Sequence, residues 1–312
     1  MSNIEQCEKY MKKQNMLGNQ IFKFILDKEK DAVLLERYIE DTSDFKVITI
    51  PSFVTGIMHR SVYTFVEDSI FGGVKQSLKV INKSKIKNIM FMFNRFCGKE
   101  LDLSEFNTDN VTKMNSAFRK CKNLRKLDLS NFNTSNVIDM GAMFYGCESM
   151  REINLSSFDT SKVESMRSMF DECYSLKELD LSNFDTSSVT NMSNMLLKCR
   201  DLEKVNLSSF DTSKVTDMGS MFTACSSLEE IDLSNFSTKS VKNVAGMFNL
   251  CDKLKQIDLS NFHVPNKESA MLMINHCNKL EKIITTDSDI LDVLYREKKR
   301  RKEKEHGGYR IT

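Results

Sequence analysis

The chain has 312 residues, 40% of them hydrophobic and 28% charged, with a formal net charge of +2. That length holds one large domain or two average ones, and the charge balance gives the molecule as a whole no electrostatic preference for nucleic acid or membranes. No run approaches the roughly 18 consecutive apolar residues of a membrane helix, and the opening MSNIEQCEKYMKKQ lacks the apolar stretch and cleavage site of a secretory signal.

Taken in chain order, residues 4–40 read as helical, with Ile21, Phe22, Ile25, Val33, Leu34 and Tyr38 as the expected buried set. The next segment, FKVITIPSFV, alternates like a strand. Residues 1–83 are therefore expected to form an N-terminal cap. Beyond it the chain repeats. Cys121, Cys147, Cys173, Cys199, Cys225, Cys251 and Cys277 follow one another at a constant 26 residues, and the surrounding text repeats with them. About seven such units are expected over residues 84–284. From Phe262 the pattern decays; Ile290, Leu291, Val293 and Leu294 suggest a closing helix, continued by a charged tail within 285–312.

Each unit contains L-x-x-L-x-L, as in Leu124, Leu127 and Leu129, and the alternating part predicts a short strand with one buried face. An Asn/Ser-Phe-Asp-Thr-Ser turn follows. Then Val215, Met218, Met221, Phe222 and Cys225, at steps of three or four, predict one face of a short helix, with Thr212 or Ser213 as its N-cap. One unit cannot bury its apolar face alone, whereas stacked units cover one another. The expected fold is an α/β solenoid, with a parallel sheet of seven or eight strands on the concave side and short helices on the convex side.

The motif L-x-x-L-D-L-S-x-F-D-T-S-x-V-x-x-M-x-x-M-F-x-x-C resembles the bacterial-surface-protein-A (BspA-like) type of leucine-rich repeat, found in mycoplasma and gut-bacterial surface proteins. The resemblance covers about residues 84–284. It implies a curved, right-handed solenoid used for adhesion or protein binding, and it does not imply an enzyme. Many members carry a secretion signal and an anchor that the present sequence does not show. The expected location is therefore cytoplasmic, with the cell surface or secretion as the alternative that the resemblance implies.

Between the two inward strand residues of each unit sits Asp102, Asp128, Asn154, Asp180, Asn206, Asp232 or Asp258, expected on the concave face beside a serine column from Ser104 to Ser260. Two readings stand. The column is an acidic floor for a basic partner or a cation, or its side chains solvate the sheet and bond neighbouring amides.

The cysteine ladder from Cys121 through Cys147 to Cys277 lacks the paired spacing and companion histidines of a zinc site, and parallel Cβ vectors oppose disulfides. Small buried hydrophobes with a structural role fit it better. Methionines at 114, 140, 166, 192 and 218, and at 143, 169, 195, 221 and 247, read as core rather than a copper site. The phenylalanines from Phe106 to Phe262 read as an internal spine rather than a base-stacking platform. Four histidines share no repeat position, and no catalytic triad, phosphate loop or metal motif accompanies them. The expectation is a non-enzymatic scaffold without cofactor or membrane insertion, binding a protein partner through its concave face. The rivals are an exported adhesin and a nucleic-acid-associated protein using KKRRK at 298–302; interleaved glutamates weigh against the latter.

Overall fold

A computed structural model of the chain describes residues 1–16, 22–27, 32–38, 45–52, 54, 56–57, 69–75, 77–83 and 85–293. Its architecture is a stack of irregular coils, one per 26-residue unit. Most corners of the coils are closed by a short polar side chain bonding the backbone two residues on. In one coil Asp180 accepts the Ser182 amide at 3.0 Å, Asp185 the Ser187 amide at 2.9 Å and Asn191 the Ser193 amide at 2.9 Å. Such turns suit Asp and Asn because their oxygen mimics a backbone acceptor.

Between residues 91 and 250 the expected convex helices are not there; only the last coil has one at that position, α2 (Lys267–Met273). The apolar steps of three and four belong instead to successive tight turns. Met221 N–H bonds Met218 C=O and Cys225 N–H bonds Phe222 C=O, while Ser220 and Ala224 take left-handed conformations at φ 56° and 59°. The intervening amides leave the coil altogether. Met218, Ser220, Phe222 and Ala224 donate to the carbonyls of Asn243, Ala245, Met247 and Asn249 in the next coil at 2.7–2.9 Å. An isolated segment this short is a marginal helix, and each amide given to the next coil is one an α-helix would bond to residue i−4. The inward set is nevertheless the expected one, since Val215, Met218, Met221, Phe222 and Cys225 are all fully buried. Thr212 is not an N-cap: its hydroxyl donates to Ser237 C=O and accepts the Ser237 N–H. Thr134, Thr186 and Thr238 act alike, so these buried hydroxyls are satisfied on both sides.

The opposite side carries the strands, all parallel between coils. They are β3 (Phe45–Ile50), β5 (Ser77–Asn82), β6 (Leu101–Asp102), β7 (Lys126–Asp128), β8 (Glu152–Asn154), β9 (Glu178–Asp180), β10 (Lys204–Asn206), β11 (Gln256–Asp258) and β12 (Lys282–Ile284). Parallel strands stacked coil on coil make the chain a repeat solenoid, as the sequence implied. One continuous sheet does not form. Ladders join β3–β5–β6, β7–β8, β9–β10 and β11–β12, and none joins these groups to one another among the described residues. Continuity comes from the turn side, where bridges run unbroken from Asn88 through Lys113, Asp139, Ser165, Asn191 and Asp217 to Asn243.

The interior is apolar columns. Phe118, Phe144 and Phe170 stack with centroids 5.6 and 5.4 Å apart, the ten repeat-position methionines are fully buried, and Phe106 to Phe262 are buried throughout. At the N-terminus, α1 (Asn3–Met16) is helical, but β1 (Phe22–Asp27) and β2 (Ala32–Tyr38) form an antiparallel hairpin where helix was expected, and β4 (Gly56–Ile57) pairs with β2. Runs rich in Phe, Ile, Val and Leu favour the strand there. The burial expected for Ile21, Phe22, Ile25, Val33, Leu34 and Tyr38 lies outside the described residues. At the other end, α2 (Lys267–Met273) starts on Asn266, which caps the Ser269 amide. Residues 288–293 are helical, with Ile290 and Val293 buried. Asp287 caps this helix, accepting the amides of Asp289 and Ile290. Leu294 and the charged tail lie outside the described residues.

Candidate functional site

Each member of the expected floor plays the same local part. Asp102, Asp128, Asn154, Asp180, Asn206, Asp232 and Asp258 each accept, through Oδ1, the amide of the serine two residues on, at 2.9–3.2 Å. Six of them lie in β6 to β11; Asp232 lies in the extended segment between β10 and β11 that is not part of a ladder. The second expectation therefore describes one oxygen of each residue. The other carboxylate oxygen carries charge to the surface. The serine hydrogen bonds hold the Asp102, Asp128, Asp180, Asp232 and Asp258 carboxyls below their ordinary range, so all five are ionised at neutral pH. Asn154 and Asn206 make the same turn without the charge.

Towards the C-terminal end these residues line a shallow trough of about 1300 Å³ over the strand face. Its floor is apolar, formed by Leu179, Val205, Ile231 and Ile257, and its walls carry eight carboxylates against four lysine ammonium groups. Three of those carboxylates have ion-pair partners, Glu178 with Lys204, Glu203 with Lys177 and Glu229 with Lys255. A second depression of about 990 Å³ lies between β6 and β7, with Asp102 and Asp128 balanced by Arg125 and Lys126.

The cysteine column sits elsewhere. Cys121, Cys147, Cys173, Cys199, Cys225, Cys251 and Cys277 are all buried, and none of them is in a disulfide. Their part is larger than the space-filling one expected of small hydrophobes. Each thiol donates to a carbonyl of the preceding coil, Cys147 to Phe118 at 3.1 Å and Cys173 to Phe144 at 3.3 Å, so the column also ties coil to coil. Burial pushes the Cys225 thiol up to about 12, which keeps it protonated and unreactive. A thiol reagent is expected to label Cys147 and Cys225 only after denaturation; rapid labelling of both in the native protein would contradict the buried column.

One titratable group escaped the sequence reading. Asp171, on the turn side, is 5% exposed and its Oδ1 has no hydrogen-bond partner. Burial, then the neighbouring Glu172, push its carboxyl up to about 7. The folded state thus holds a proton that the unfolded state releases near pH 4, so this group weakens stability progressively as pH rises from 4 to 7. Asp171→Asn is expected to raise the melting temperature at pH 8 and to change it little at pH 4. An equal shift at both pH values would show that the charge is not what matters.

The residues that organise the strand face were also overlooked. They occupy the position one before the phenylalanine spine, where Asn131, Ser157, Asn183, Ser209, Asn235 and Asn261 stand. The signal was present as SNF and SSF alternating from Asn131 to Asn235, with SNF again at Asn261. The basic segment 298–302 lies outside the described residues. No helix among the described residues is long and apolar enough to cross a membrane.

These features define a repeat solenoid with one acidic, troughed face. The model of the family described as "Mycoplasma protein of unknown function, DUF285" matches residues 62–179 and 164–286, and the chain belongs to that family. The mycoplasma side of the repeat resemblance is thereby borne out. No curated protein is significantly similar to the chain. Among solved structures it is similar to a leucine-rich-repeat protein of T. pallidum, with 18% identity over 67% of this chain and 88% of that one and a TM-score of 0.41. A leucine-rich cell surface protein of Faecalibacterium prausnitzii matches at 16% identity over 86% and 94%, TM-score 0.28. A leucine-rich-repeat protein of Bacteroides ovatus matches at 16% over 86% and 89%, TM-score 0.32.

Proposed function

We propose that this chain is a non-enzymatic scaffold that binds a protein partner through its strand face, the C-terminal trough being the working surface. The observation that carries the reading is the trough itself: an apolar floor beneath walls with twice as many carboxylates as ammonium groups. Apolar surface supplies affinity on contact, and the surrounding charge steers and orients a basic partner.

The protein supplies its own conservative variant, since asparagine already makes the corner turn at 154 and 206. Changing Asp128, Asp180, Asp232 and Asp258 together to Asn removes four charges and keeps four turns. Binding to the partner recovered with the wild-type chain is expected to weaken well over tenfold, mostly in the association rate, with an almost unchanged melting temperature. Glu164→Lys, an exposed charge reversal on the turn side, is expected to leave binding intact. The opposite pattern would move the working surface to the turn side.

A further inference from the structure

The strand ladder opens and closes according to one residue per coil. At Ser157 and Ser209 the hydroxyl donates to two carbonyls of the preceding coil, Leu129 and Phe132 in the first case, Leu181 and Phe184 in the second, at 2.7–3.1 Å. At Asn183 and Asn235 the carboxamide nitrogen reaches the equivalent pair, Leu155 with Phe158 and Leu207 with Phe210, at 2.7–3.1 Å. The asparagine nitrogen stands one bond further from the backbone than the serine oxygen, about 1.3 Å, so the same contact can span a wider gap between coils.

The consequence runs the length of the array. The coils of Ser157 and Ser209 are laddered to their predecessors as β7–β8 and β9–β10. The coils of Asn131, Asn183, Asn235 and Asn261 are not. Glu105 and Asp287 occupy the position at the two ends, and there the ladders β5–β6 and β11–β12 form. The core repeats the alternation. Phe106–Phe132, Phe158–Phe184 and Phe210–Phe236 stack at 5.9–6.2 Å across three of the four asparagine junctions.

At two of the opened junctions, those of Asn183 and Asn235, an inward strand residue reaches the surface. There Ile153 and Val205 are half-buried and Ile231 is 9% exposed, whereas Leu127 and Ile257, in the coils of Asn131 and Asn261, stay buried at 1% and 2%. We infer that Asn183 and Asn235 are spacers that open two apolar clefts in the strand face, Ile153/Leu179 and Val205/Ile231, and that these seat apolar side chains of a lysine- or arginine-rich protein segment. This deepens, and rests on, the reading of the strand face as the binding surface. Charge complementarity with the trough walls selects the basic segment. The clefts lie two coils apart, about 10 Å at the usual strand spacing. A polyproline-II segment repeats its side-chain direction every third residue, after about 9.3 Å, and so presents one apolar residue to each cleft.

The test uses two lysine–leucine peptides of equal length and composition, one with leucine at every third position and one with its leucines adjacent. The wild-type chain is expected to bind the first about tenfold more tightly. Asn183→Ser with Asn235→Ser should abolish that preference while retaining the weaker, salt-sensitive binding of both. In the same variant, amide exchange in residues 178–180 and 230–232 should slow as new ladders form. Equal binding of the two peptides by the wild-type chain, or unchanged exchange in the variant, overturns the spacer inference and leaves the strand-face reading standing. Failure of the wild-type chain to bind either peptide contradicts the strand-face reading, and the cleft inference falls with it.

Discussion

Replacing Phe144 by alanine is expected to destabilise the protein by about 3–5 kcal/mol, the usual cost of deleting a buried aromatic ring. Phe144 has no exposed surface and stacks between Phe118 and Phe170, with interplanar angles of 8° and 17°. Its loss therefore leaves a void touching three coils. In a solenoid each unit is stabilised by its neighbours, so the damage should spread along the stack rather than stay local. Equilibrium denaturation with urea reads it as a lower midpoint. A loss below about 1 kcal/mol would mean that the turn-side ladder, and not the apolar column, holds the coils together.

Leu179→Ala is expected to cost about 2–5 kcal/mol, towards the lower figure because the cavity opens on the cleft beside β8. Leu179 points inward and is 4% exposed, while Asp180, one residue on, is exposed. Asp180→Ala removes one hydrogen bond, to the Ser182 amide, worth about 0.5–1.5 kcal/mol. Asp180→Asn keeps that bond and should be nearly neutral. Equal losses for Leu179→Ala and Asp180→Ala would refute the inside and outside assignment of the strand.

Burial was legible in the sequence because it depends only on which side chains recur. The methionine, phenylalanine and cysteine columns are inside, as their spacing implied. The bond from each thiol to the coil before it, as from Cys147 to Phe118, was not legible, because the acceptor carbonyl lies 29 residues upstream. Nor was the convex element. Steps of three and four residues fit a helix face, and they fit equally a pair of tight turns with a left-handed residue in each, as at Ser220 and Ala224. What separates the two is the destination of the backbone amides, which a single unit does not reveal. The broken sheet was legible in principle. The determinant we infer is the choice of asparagine or serine at 131, 157, 183, 209, 235 and 261, which alternates as far as Asn235 beneath the stronger period of one coil. Asp171 was hidden because its burial depends on the coils on either side.

The most direct test of the strand face as the working surface is carbodiimide labelling of carboxylates, free and in complex with the captured partner, read by mass spectrometry. Asp180, Asp232, Glu178 and Glu230 border the trough, whereas Glu164 is exposed on the turn side. The account predicts that the partner shields the first four by several-fold and leaves Glu164 as reactive as before. Shielding of Glu164 with unchanged labelling of the trough carboxylates would contradict it.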